Sequence, residues 1–217
     1  MQRLELIHKV SGASLTDAML RRYDHTSGVL DLSSPDPSRV LFGPALTIAY
    51  LPYRKDLASR ANFARMFYQA IADEQATGAV LVMSSGGIPE ASMGGGTKLS
   101  RLANHKMAGV LCDGRLRDYS ELREYPFATY CRGEALRWGG DRVMPYAANI
   151  PVALAGITVA PGDYIYAYQT VALCIPAAGV DDILAEAYQI EQDDARFIER
   201  IRAERAADVL AQGSNEA

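Results

Sequence analysis

The 217-residue sequence predicts an α/β fold, and three observations carry that prediction. Gly78 introduces Ala79 to Met83, a continuous apolar run of the kind buried on both faces in a mostly parallel sheet. Apolar residues at steps of three and four mark a helix before that run, from Asp56 to Glu74, and another after it, from about Thr97. A second short apolar run, Val110 to Cys112, then ends abruptly at Asp113-Gly114. Strands alternating with helices in this way build a sheet covered by helices.

The other elements follow in order. Residues 1–22 are predicted as two helical pieces: Leu4 and Ile7 share a face, and Ser14 is placed to cap a second piece through Leu15, Ala18, Met19 and Arg22. Asp31 to Arg39 is loop by its Ser, Pro and Asp content. Gly43-Pro44 starts a strand, Ala45 to Leu51. The helix over 56–74 uses Leu57, Ala61, Ala64, Phe67 and Ile71, with Tyr68 widening the stripe. Ser84 to Gly96 is loop, Glu121 to Phe127 a short helix and connector, and Pro151 to Ala155 another strand after the mixed stretch 137–149. Pro161-Gly162-Asp163 is a turn. Tyr164 to Tyr168 and Ala172 to Ile175 pair as a hairpin across Gln169-Thr170, and Pro176 closes it. From Asp181 the pattern is helical, and the charge-dense stretch Arg196 to Arg205 is read as a solvated end in preference to a subunit face.

The length suits one domain, residues 1–217, with N-terminal helices and loop over 1–40 and a helical tail over 181–217. Charged residues make up 22% and the net charge is -4, which gives neither the signature of disorder nor the basic field of a nucleic-acid binder. Cys112, Cys131 and Cys174 are odd in number, lack CxxC spacing and sit in or beside apolar runs, so inert thiols in a reducing cytosol are expected. No stretch reaches the roughly 20 apolar residues of a membrane helix, and the first ten residues lack the apolar core of a signal peptide. A cytoplasmic protein without membrane or nucleic-acid partners is the expectation.

Two stretches carry chemistry. Gly94-Gly95-Gly96 runs into a helix start, whose backbone N–H groups point outward unpaired. Glycines let an anion reach that backbone, so Gly95, Gly96, Thr97 and Lys98 form a candidate carboxylate or phosphate seat. A glycine run also serves as a plain linker. Arg117-Asp118, just after the Asp113-Gly114 break, joins a fork that grips carboxylates to a ligand suited to Mg²⁺, which keeps several waters. The same dipeptide is often a surface ion pair of little consequence. His8, His25 and His105 are scattered and suggest no triad, and P-loop, GxGxxG and zinc spacings are lacking.

With these residues in view, the chain resembles the RraA-like family, which includes class II 4-hydroxy-4-methyl-2-oxoglutarate aldolases and oxaloacetate decarboxylases. The resemblance runs from Ser14-Leu15-Thr16-Asp17-Ala18 through Gly43 to Thr47 and Gly109 to Asp118, then Pro151-Val152, Gly156, Pro161 to Asp163 and Pro176. It implies a compact layered β/β/α swivelling-type domain, trimers or hexamers with sites between subunits, and a small oxo-acid substrate. Arg117 would bind that substrate and act in catalysis with Asp118. Asp118 would carry the metal, Mg²⁺ or Mn²⁺, and the amides around Gly95 to Lys98 would hold the pyruvyl carboxylate.

One departure bears on the reaction. The aldolases carry a water-activating Asp or Glu about twenty-one positions before the arginine, where this chain has Gly96, and Ser84-Ser85 stand where many relatives have an aspartate. Retro-aldol cleavage must remove a hydroxyl proton, so losing that base costs about 10²-fold or more. Decarboxylation of a 3-oxo acid needs chiefly an electron sink. The expectation is a metal-dependent carbon–carbon lyase, decarboxylase or aldolase-type, with classical aldolase activity weak or absent. The competing expectations are a non-catalytic regulator of the RraA kind and a scaffold in which Gly96 enlarges the pocket for a bulkier substrate.

Overall fold

The computed structural model describes residues 2–25, 27–58, 62–72, 76–206 and 210. In chain order the elements are α1 (Gln2–Ile7), α2 (Gly12–Leu20), β1 (Gly28–Val29), β2 (Leu41–Pro52), α3 (Lys55–Ala58), α4 (Phe63–Ala72), β3 (Val80–Ser84), β4 (Ser92–Gly94), α5 (Gly96–Asn104), β5 (Gly109–Cys112), β6 (Arg115–Leu116), α6 (Tyr119–Glu124), β7 (Ala128–Tyr130), β8 (Val143–Ala148), β9 (Val152–Leu154), β10 (Ile157–Val159), β11 (Tyr164–Tyr168), β12 (Val171–Ile175) and α7 (Val180–Ala203).

Eight strands form one mixed sheet in the order β1-β12-β11-β2-β3-β5-β7, with β8 also on β2. Only β2, β3, β5 and β7 run parallel; the pairings of β1, β8, β11 and β12 are antiparallel, so the sheet is less parallel than expected. The period of two sorts the central strands cleanly. Leu46, Ile48, Leu81, Met83, Val110 and Cys112 face α4, α5 and α6, while Ala45, Val80, Val82 and Leu111 face the β9–β10 ribbon. The result is a layered β/β/α arrangement, with α1, α2 and α7 packed on the β11–β12 end through Leu15, Met19, Ile183 and Leu184.

Several elements differ from expectation. The helix expected over 56–74 is two helices, α3 and α4: α4 buries Phe63, Met66, Phe67 and Ala70, while Leu57 and Tyr68 are exposed. Ala61 and Glu74 lie outside the described residues. The mixed stretch 137–149 contains β8, whose Pro145 sits opposite Tyr50 at a register shift in β2, a place where a missing N–H is tolerated. β7 was also unforeseen. The cap of α2 is Ser11, whose Oγ accepts the Ser14 N–H at 3.1 Å.

Ser14 instead donates its hydroxyl to Glu191 of α7, which also accepts the Ser11 N–H at 2.8 Å. The Ser14 hydroxyl and then Ser11 hold the Glu191 carboxyl below its ordinary range. A depressed folded-state value means that the contribution is present above the unfolded value of 4.5 and is lost as pH falls through the folded value. Glu191→Gln is expected to cost about 1 kcal/mol at neutral pH and almost nothing at acid pH, measured by urea unfolding at both.

Candidate functional site

A two-strand ladder brings the two chemistry-bearing stretches together. β4 pairs in parallel with β6, Ser92 beside Arg115 and Gly94 beside Leu116, and the Arg117 N–H donates to the Gly94 carbonyl at 3.0 Å. The Asp113-Gly114 break is what aims the second stretch. Gly114 packs against Met93 where a Cβ would collide with its sulfur. The buried Asp113 carboxylate accepts the Ser85 and Ala155 N–H groups, the latter at 3.1 Å, so it ties two loops together and takes no part in the cleft.

Arg117 and Asp118 then stand at the start of α5. Asp118 has φ +65° and ψ +45°, a left-handed conformation that Asp tolerates better than most side chains. Its Oδ2 accepts the Gly96 N–H at 3.2 Å and lies 3.5 Å from Arg117 Nε. Oδ1 and the terminal nitrogens of Arg117 meet no protein partner among the described residues. The expected anion seat is therefore altered: its first amide, Gly96, is taken by the chain's own carboxylate. The N–H groups of Thr97 and Lys98 have no acceptor among the described residues.

The three glycines have different roles. At Gly94 a Cβ would meet only ordinary contacts, at 3.7 Å and beyond. At Gly95 it would strike the Asp118 carboxylate and the Arg117 side chain. At Gly96 it would fall on the carboxylate of Glu121, which also accepts the Tyr125 O–H at 2.7 Å. The space beside Gly96 is thus filled by a carboxyl group from α6, and the expected enlargement of the pocket at Gly96 is absent.

The cleft beside Asp118 measures about 50 Å³ and is lined by Ser92, Gly94, Gly95, Thr97, Lys98 and Arg117, with Trp138 across from them. It has room for a group the size of a carboxylate, since about 10–15 Å³ of such space accommodates one water. Burial, then Arg117 and Arg101, lowers the Lys98 pKa. Burial also pushes the Cys112 thiol well up, as expected of an inert cysteine, and all three cysteines are free and buried. Sequence reasoning missed Ser92 and Trp138 in this lining. An exposed tryptophan, the single one in the chain, was the one signal available.

The donor set suits a hard cation that keeps water. Among the described residues no three His, Cys, Asp or Glu side chains converge, so no cage made only of protein groups exists there. One carboxylate with a free oxygen, next to open space, matches Mg²⁺ or Mn²⁺ completed by water and substrate oxygens. Among the described residues no helix is long and apolar enough to cross a membrane.

A family model described as RraA-like, Aldolase/RraA, matches residues 12–170. Protein DlpA of Legionella pneumophila is 24% identical over 211 residues, covering 97% of this chain and 32% of DlpA, so the chain spans about a third of that relative. The 4-hydroxy-4-methyl-2-oxoglutarate aldolase of Thermus thermophilus is 29% identical over 146 residues, 62% of this chain and 85% of the enzyme. Among solved structures, Streptomyces coelicolor RraAS2, described as an unusual member of the RNase ES inhibitor RraA family, superposes with a TM-score of 0.75 at 26% identity, covering 91% of this chain and 98% of its own. The match to the family model, over most of the chain and through both site-bearing stretches, shows that this protein belongs to the RraA-like Aldolase/RraA family.

Proposed function

We propose that the chain is a divalent-metal-dependent carbon–carbon lyase acting on a small oxo acid, with decarboxylation favoured over aldol cleavage. The observation that carries this reading is the convergence of a free carboxylate oxygen, a free guanidinium edge and two unpaired helix-start amides on one small cleft. The Thr97 and Lys98 N–H groups hold the carboxylate next to the keto group, with the positive end of the α5 dipole behind them. The Arg117 terminal nitrogens donate to the oxygens of the same end of the substrate and fix its plane. Asp118 Oδ1 is the atom that would hold Mg²⁺ or Mn²⁺. When bound, the cation supplies Lewis-acid stabilisation for the negative charge that develops on the keto oxygen as the carbon–carbon bond breaks.

Proton handling falls to Glu121. Its carboxylate stands where a side chain at position 96 would project, and Tyr125 steadies it. Decarboxylation demands less of such a group than retro-aldol cleavage, which must also deprotonate a hydroxyl.

The test is turnover of oxaloacetate and binding of oxalate, a mimic of the pyruvate enolate, by purified protein with Mg²⁺. Turnover above background that disappears with a chelator is expected; the absence of both turnover and oxalate binding overturns the reading. The likeness to RraAS2 supports a second reading, a regulatory protein that masks an RNA-processing enzyme. A stable co-purifying partner together with no Mg²⁺-dependent oxalate binding favours that one.

A further inference from the structure

The small cleft at Asp118 has a larger neighbour. Ser92, Lys98 and Trp138 line it and also line a second cleft of about 500 Å³, so the two share a wall and the second is about ten times the size of the first. A four-carbon oxo acid needs little of that space. The second cleft has an aromatic and thioether lining, with Tyr53, Phe63 and Trp138 as flat faces and Met93 and Met144 as adaptable ones.

It also carries positive charge without a counter-charge. Lys98 Nζ lies 3.5 Å from the Met93 carbonyl and 5.6 Å from the Phe63 ring centroid. Arg101, one turn further along α5, uses one terminal nitrogen to donate to the Lys98 carbonyl at 3.1 Å and leaves the rest of its fork to the cleft. Neither side chain pairs with a carboxylate among the described residues, although eleven other ion pairs occur there. A partly buried ammonium beside a guanidinium, with no carboxylate partner among the described residues, is disfavoured until a ligand supplies one.

We infer that the second cleft receives the distal half of the substrate, and that Lys98 and Arg101 select an oxo acid whose far end bears a second acidic group on a ring-sized apolar spacer. This rests on the reading of Arg117 and Asp118 as the reacting end. The aromatic walls take the spacer and the two cations take the terminal anion. Lys98 is one of the three residues that line both clefts, with Ser92 and Trp138.

The test is calorimetric titration of the intact protein, in the presence of Mg²⁺, with 4-carboxyphenylpyruvate, phenylpyruvate and 2-oxoadipate. The wild type is expected to bind the carboxylated ring compound about 10-fold or more tightly than either of the others, the charge-assisted contacts deciding one comparison and the ring the other. The ratio between the two ring compounds is expected to fall in Lys98→Met and in Arg101→Gln, and to approach one in the double variant. Equal affinities in the wild type, or a ratio that survives the double substitution, overturn the inference. Oxalate separates this from the reading of the reacting end. A wild type that binds no oxalate overturns the metal and arginine assignment, while the ratio still decides the role of Lys98 and Arg101.

Discussion

Asp118→Asn is expected to lower Mg²⁺-dependent oxaloacetate turnover by about 10³-fold while leaving the thermal midpoint nearly unchanged. The substitution separates two things that the carboxylate does. Asparagine tolerates the left-handed backbone at φ +65°, and its carbonyl oxygen still accepts the Gly96 N–H. What it removes is the negative charge next to the small cleft. Steady-state kinetics with a thermal melt of each protein checks the prediction. Turnover within about tenfold of wild type would mean that another group carries the metal. A collapse of the melt would mean that the residue is chiefly architectural.

Gly95→Ala is expected to cost about 10²-fold in turnover through displacement of the same carboxylate, because a 1 Å shift of a reacting group has effects of that order. The new methyl group would meet Asp118 Oδ2 and the Arg117 Cγ, and the backbone at φ −166° offers no relief by rotation since it is already extended. Gly94→Ala is the comparison, with ordinary contacts only and no clash with Asp118, and is expected to lose less activity than Gly95→Ala. Kinetics of the pair checks the contrast. Equal loss at both positions would show that the glycines serve loop flexibility instead of close approach.

Much of the frame was legible because it rests on long or uniform patterns. The run Ala79 to Met83 and the run Val110 to Cys112 became β3 and β5 in the centre of the sheet, and Leu99 and Leu102 gave α5 its buried face. The helix expected over 56–74 misled because Leu57 and Tyr68 fit the apolar spacing yet are exposed, and α4 turns Phe63 and Met66 inward with Phe67 and Ala70. Strands β4 and β6, of three and two residues, are too short for any period to register, yet they set the site by joining Gly94 to Arg117. Of the residues named from the sequence, Gly95, Thr97, Lys98, Arg117 and Asp118 line one cleft, and Gly96 reaches it only through its N–H bond to Asp118. That Asp118 would bend back onto the Gly96 amide, and that Glu121 would fill the space at Gly96, depend on contacts over twenty-two and twenty-five positions that no local pattern encodes.

Helix α7 carries an apolar spacing along its whole 24 residues, but only its first part is covered. Val180, Ile183, Leu184, Ala187 and Ile190 are buried, whereas residues 192–203 are exposed throughout, Phe197, Ile198 and Ile201 among them. That outer stretch has about the length, roughly 12–15 residues, at which a helix without packing is marginal in water. The pairs Asp193–Arg196 and Glu199–Arg202 add a few tenths of a kcal/mol each. One continuous ladder of hydrogen bonds therefore contains two regimes of opening. The amides of the inner turns are released only when the molecule as a whole unfolds, and those of the outer turns are released by fraying, on the timescale of a peptide in solution.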